Sequence, residues 1–193
     1  MKRCLLLALV LATCAGAAAA QLPPVGYLAL FIDEERSGWC VNGGGASFYP
    51  FEMWIYCLPS ERGMLGAEFA VCYPTNIIQS TVTTHPEVSV EIGTLPDGIS
   101  VAFSTCQLDW VWPYHQTLYV TDLTKTAVRL KKHPDPDITD YQFVTCEPGY
   151  PIEPVNLYTW RIFVNYEAGD WECGLLIGTK DSSWGAIKSM YNE

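Results

Sequence analysis

Six cysteines, Cys40, Cys57, Cys72, Cys106, Cys146 and Cys173, are the residues of this chain best suited to a definite chemistry. No two of them make a C-x-x-C pair, which argues against a zinc site or a thioredoxin-type centre. An even set without that spacing suits three disulfides, each adding about 2–4 kcal/mol. Spacing alone leaves the connectivity open. The expected pairing joins sequence neighbours: Cys40 with Cys57, Cys72 with Cys106, and Cys146 with Cys173.

Aromatic side chains offer a second chemistry. Trp110, Trp112 and Tyr114 alternate, so on a strand their rings would line one face, and Pro113 would confine that strand to a sheet edge. Such a row suits stacking on sugar faces or on a partner protein. Trp54 and Tyr56 alternate opposite Phe51 and are a second candidate on the same logic.

Carboxylates offer a third. Asp135, Asp137 and Asp140 share a loop stiffened by Pro134 and Pro136 and could supply three oxygens to calcium, although no EF-hand pattern surrounds them. Together with Asp33-Glu34-Glu35 they are also the densest source of a paired-carboxylate hydrolase site. Nucleophilic catalysis has little to build on. There is no G-x-S-x-G, each cysteine has an expected partner, and His85 and His133 each precede a proline, as in an exposed loop.

The first twenty residues say where these groups would work. Lys2 and Arg3 lead an apolar run from Leu5 to Ala12, and Ala18-Ala19-Ala20 makes a small-x-small step before Gln21. This reads as a secretory signal over 1–20, with no transmembrane segment after its cleavage. Leu11-Ala12-Thr13-Cys14 approaches a lipoprotein pattern, but Thr13 is a poor residue at its cleavage step. Export places the cysteines in an oxidising compartment, periplasmic or extracellular. The formal charge is −10, and −12 once Lys2 and Arg3 are removed. A chain this acidic is repelled by phosphate backbones, so nucleic acid is set aside as a partner.

The elements that position the candidates are mostly strands, because period-two patterning dominates. Val25–Ile32 is a short apolar run. Phe51, Met53, Ile55 and Cys57 share one face, as do Ala67, Phe69 and Val71. Val88–Phe103 reads as a hairpin around Pro96-Asp97-Gly98, with glycine supplying positive φ. A second hairpin is expected from Trp160–Tyr166 into Trp171–Ile177. Short strands are expected at 117–121, 127–130 and 141–145. Asp181-Ser182-Ser183 would cap a two-turn helix carrying Trp184, Ile187 and Tyr191 on one face. The expected fold is an all-β, antiparallel, immunoglobulin-like β-sandwich with disulfides, spanning 21–180, and a short C-terminal helix over 181–193.

Leu30-Phe31-Ile32-Asp33 with Cys40, then Gly66-Ala67-Glu68-Phe69, then Ser183-Trp184-Gly185-Ala186-Ile187-Lys188-Ser189-Met190-Tyr191 carry a resemblance. The chain resembles a group of uncharacterised secreted bacterial proteins, most specifically in its ending. The Gly-Ala-Glu-Phe step is similar to a strand of cohesin-like and related immunoglobulin-like sandwiches. The resemblance implies a secreted bacterial β-sandwich and carries no activity with it.

The expectation is therefore a secreted or cell-envelope structural or adhesive module, without catalytic activity or cofactor, that meets a protein or glycan surface or a second copy of itself. The alternatives are a carbohydrate-binding module using Trp110, Trp112 and Tyr114, and a carboxylate hydrolase.

Overall fold

A computed structural model describes residues 22–167 together with Asp170 and Cys173. The leader expected over 1–20, Cys14, and the helix expected at 181–193 lie outside the described residues. The strands are β1 (Tyr27–Phe31), β2 (Cys40–Val41), β3 (Tyr49–Leu58), β4 (Met64–Cys72), β5 (Ile77–Thr84), β6 (Val88–Thr94) and β7 (Gly98–Gln107). They continue with β8 (Val111–Val120), β9 (Thr126–Lys131), β10 (Gln142–Val144), β11 (Ile152–Pro154), β12 (Asn156–Leu157) and β13 (Arg161–Val164). No helix among the described residues is long and apolar enough to cross a membrane.

Two sheets form a sandwich. The first has the order β12-β1-β3-β8-β5. The second runs β11-β10-β4-β9-β13-β2, with β7 also on β4 and β6 beyond β7. The alternation that marks each strand decides which side chains meet between the sheets. Leu28 and Leu30 of β1, Met53 and Ile55 of β3, and Leu118 of β8 face Phe69 and Val71 of β4, Val128 of β9 and Ile162 of β13 in one buried core. The 88–103 hairpin forms as expected, with Gly98 at φ +104° and the Thr94 hydroxyl donating to Asp97 at 2.8 Å. The exposed edge strands β5 and β6 each carry a bulge, a device that blunts edges against further pairing.

The sandwich differs from the expected one in two respects. Its sheets are mixed: β1 and β12, and β13 and β2, pair in parallel. Both pairs use a two-residue edge strand, and alternation carries no information about direction. The neighbours of β13 are β9 and β2, and the return strand expected at 171–177 lies, apart from Cys173, outside the described residues.

The sulfur bridges differ too. Cys40 joins Cys173 and Cys106 joins Cys146, each with Cα atoms 5.8 Å apart. Cys57 and Cys72 are free thiols. Strand parity explains this outcome. Cys57 points from β3 into the core, opposite Leu28 and Val111, where burial pushes its thiol well above the usual range. Cys72 lies on the outward side of β4, since Val71 beside it is fully buried. Gly63 makes room for the Cys106–Cys146 bridge: it sits at φ +70°, and a Cβ there would stand 2.6 Å from the Cys106 sulfur.

Candidate functional site

The outer face of the first sheet carries a continuous layer of rings. Parity places it there: if Leu28, Leu30, Met53 and Ile55 point inward, then Ala29, Phe31, Trp54 and Tyr56 point outward. Phe31 lies directly across from Trp54, and Ala29 across from Tyr56. Ala29, Phe31 and Tyr56 are buried beneath the half-buried Trp54, Trp110 and Trp112.

The rings interlock edge to face. Trp54 meets Trp112 at 5.1 Å and 90°, and Tyr56 meets Trp110 at 6.0 Å and 82°. Phe31 contacts Tyr56, Trp110 and Tyr158, and His85 abuts Trp112 at 4.7 Å. Such contacts add about 0.5–1.5 kcal/mol each beyond area burial. Arg36 closes one end, its guanidinium 5.2 Å from the Tyr56 ring and 5.3 Å from Trp110. That arginine belongs to the acidic turn Asp33-Glu34-Glu35, whose Glu34 carbonyl accepts a hydrogen bond from the Tyr56 hydroxyl at 2.9 Å. Burial, partly offset by Arg36, holds the Tyr56 phenol above its ordinary value.

A polar row borders the rings. His115, across from Trp54, stacks on it at 3.9 Å and places Nε2 2.6 Å from Glu52. Thr117, across from Glu52, donates its hydroxyl to the same carboxylate at 3.1 Å. The Thr117 hydroxyl is thus turned to the carboxylate, and Thr83 of β5 lies across from His115 on its other side. Beyond this row the face turns apolar again, with Tyr119 stacked on the exposed Phe48 at 5.3 Å and Ile78 across from Tyr119.

The expected trio of rings is split. Trp110 and Trp112 join the outer layer, but Tyr114 points into the core, 1% exposed and against Phe69. A bulge explains the split. Ile55 pairs with Tyr114 and Cys57 with Val111, so two steps on β3 match three on β8 and the parity flips between Trp112 and Tyr114. Pro113 sits inside that irregularity, which is how β8 accepts a proline while lying between β3 and β5 and not at an edge. Trp54 and Tyr56, the second candidate, lie in the layer as their alternation predicts. His115 and Glu52, 63 residues apart, had no local signal.

The carboxylates of Asp135 and Asp140 are engaged locally, and Asp137 takes part through its backbone amide. Asp135 accepts from the Asp137 amide at 2.9 Å, and Asp140 accepts from the Tyr141 amide and lies 3.2 Å from the Lys132 ammonium. No metal-binding group of three or more His, Cys, Asp or Glu is gathered among the described residues.

No family model and no curated protein matches the chain. Solved cohesin modules match its fold. A type III cohesin module from the ScaE cell-surface anchoring scaffoldin of Ruminococcus flavefaciens aligns over 79% of this chain and 93% of its own, at 7% identity and a TM-score of 0.50. A cohesin module of a Clostridium perfringens family 33 glycoside hydrolase covers 75% and 99% at 15% identity, with a TM-score of 0.49. The sixth cohesin of Acetivibrio cellulolyticus scaffoldin B, solved with a Cel5 dockerin mutant, covers 74% and 99% at 13% identity and 0.49. At these identities the likeness is one of fold: the chain is a cohesin-like β-sandwich.

Proposed function

We propose that this protein is an exported, non-catalytic module that binds a protein partner through the ringed outer face of its five-stranded sheet. The observation that carries the reading is that layer itself, with Trp54, Trp110, Trp112 and Tyr158 gathered over one sheet and Arg36 at its end. Trp, Tyr and Arg are the residue types that dominate protein interfaces. Asp33, Glu34 and Glu35 at the same end favour a partner segment that is apolar at its centre and basic at its flank. Two disulfides support an oxidising compartment, and the resemblance to secreted bacterial proteins supports the same location. One of the structural neighbours is a module of a cell-surface anchoring scaffoldin. A role of that kind, contact at the envelope or outside it, fits a module organised as leader, sandwich (21–180) and tail.

Ring geometry favours protein over sugar. A sugar platform needs open faces turned the same way, whereas Trp54 and Trp112 stand at 90° and one face of Trp54 is covered by His115. The test places a photo-crosslinking residue at Tyr158 of the full chain and exposes it to the extracellular proteins of its host. Crosslinks to one partner, lost in the Trp54→Ala/Trp112→Ala variant, are the expected result. The reading fails if crosslinking ignores that variant, if a glycan array binds and Trp112→Ala abolishes it, or if a hydrolase panel shows turnover that Glu52→Gln removes.

A further inference from the structure

The opposite face of the molecule holds a cluster that the ring layer does not explain. In the second sheet Val71, Val128, Leu130 and Ile162 point into the core, so Cys72, Arg129, Lys131 and Arg161 point outward. Register sets Arg129 directly across from Arg161 on β13 and directly across from Cys72 on β4, with Lys131 across from Ala70 in the next row. Two arginines facing each other on neighbouring strands repel, and like charges directly opposite destabilise a sheet.

No ion pair among the described residues relieves that repulsion. The protein carries 21 Asp and Glu against 11 Lys and Arg, yet no carboxylate lies within ion-pair distance of Arg129, Arg161 or Lys131 among the described residues. The Arg161 guanidinium lies 3.4 Å over the Trp160 ring, and its Nε is buried without a hydrogen-bond partner among the described residues. Burial, and then the charge of Arg129, hold that guanidinium below its ordinary value. A facing like charge costs stability in the free protein, and an anion set between the two guanidinium groups answers it.

We propose that Arg129 and Arg161, with Lys131 beside them, form a binding site for an oxyanion: a carboxylate, sulfate or phosphate group taken between the two guanidinium forks. The ligand's charge screens the arginines from each other, and its oxygens accept from the outward guanidinium N–H groups, for which no carboxylate lies at ion-pair distance among the described residues. Trp160 fixes Arg161 as the rigid half of the site, and the exposed Arg129 is the half that closes on the ligand. This site is on the second sheet and stands independently of the partner proposed for the first.

The experiment is thermal unfolding of the disulfide-intact chain in sodium sulfate against sodium chloride at matched ionic strength, with a hexaglutamate peptide as a further arm. The wild type gains about 2–4 °C in sulfate over chloride. A like gain with hexaglutamate assigns the site to acidic protein segments, and its absence assigns it to free tetrahedral anions. Arg129→Gln loses the gain while unfolding in chloride no earlier than wild type, because repulsion leaves with the charge. Arg129→Lys keeps the repulsion but gives a smaller gain, since lysine lacks the fork. Cys72 supplies a readout independent of stability. Iodoacetate, an anion, should alkylate it several-fold faster relative to neutral iodoacetamide in wild type than in Arg129→Gln, and sulfate should slow iodoacetate selectively. Equal Tm in sulfate and chloride, a gain that survives Arg129→Gln, or a reagent ratio unchanged by it overturns the proposal.

Discussion

The two outer faces of this sandwich are covered in opposite ways. The first sheet is sealed by rings that pack on one another, and neither disulfide touches it. The second sheet has both bridges, Cys40–Cys173 at β2 and Cys106–Cys146 between β7 and the end of β10, and an outer face with facing arginines and few rings. The first sheet therefore holds itself together through noncovalent packing of its own outer layer. The second shares the buried core and has covalent ties as well, and we expect these to offset its electrostatically unfavourable surface. A face stabilised by its own contacts and a face left incomplete are different starting points for binding.

Breaking the covalent side of the comparison should have the largest effect. The bridges close loops of 133 and 40 residues, for which chain-entropy reasoning gives about 5 kcal/mol for the first and about 4 kcal/mol for the second. Cys106→Ser/Cys146→Ser should lower urea stability by about that amount and expose β10 and β11 to hydrogen exchange first. Protection lost first in β1 and β3 would contradict the assignment of covalent dependence to the second sheet.

Next comes the ring layer. Tyr56 is 2% exposed under Trp110 and Trp54, so Tyr56→Ala leaves a cavity and an unanswered Glu34 carbonyl. We expect a loss of about 3 kcal/mol in urea unfolding. A loss under about 1 kcal/mol would mean that the layer is surface decoration and not a second small core.

These expectations show which parts of the molecule local pattern reveals. Inward Phe51, Met53, Ile55 and Cys57, outward Trp54 and Tyr56, and the 88–103 hairpin follow from alternation and turn chemistry, which act within a few residues. The fate of Tyr114 does not, because it depends on a bulge in β8 defined only against β3. Cysteine pairing failed for a related reason: proximity in sequence ignores which side of a sheet a thiol occupies, and Cys57 and Cys72 are kept from their expected partners by facing inward on one sheet and outward on the other. The Glu52–His115 contact and the Arg129–Arg161 confrontation are products of register between strands distant in sequence.

Acid should sharpen the comparison by a smaller margin. Hydrogen bonds from Arg62 hold Glu147 below its ordinary value of 4.5, Gln107 and Thr105 do the same for Glu87, and Lys125 does so for Asp170. A carboxyl whose folded value is depressed contributes stability that is complete above its unfolded value and is lost as pH falls through the folded one. All three lean on partners in, or on loops leading from, the second sheet. Urea midpoints should therefore fall below about pH 4.5, and Glu147→Gln should flatten that fall. An unchanged slope would mean that acid acts elsewhere.

The smallest expected effect is on the polar row of the ringed face. Glu52 and His115 form a short contact, but their side chains are 43% and 25% exposed, and ion pairs this open contribute about 0–1 kcal/mol. Glu52→Gln keeps an acceptor for the Thr117 hydroxyl and leaves the Trp54–His115 stack its apolar contact. Its cost should stay below about 1 kcal/mol, with the near-ultraviolet circular dichroism of the tryptophans preserved. If instead it costs as much as Tyr56→Ala, or erases that signal, the rings are being oriented by the carboxylate. The first sheet would then depend on charge as the second does, and the contrast between the two faces would collapse.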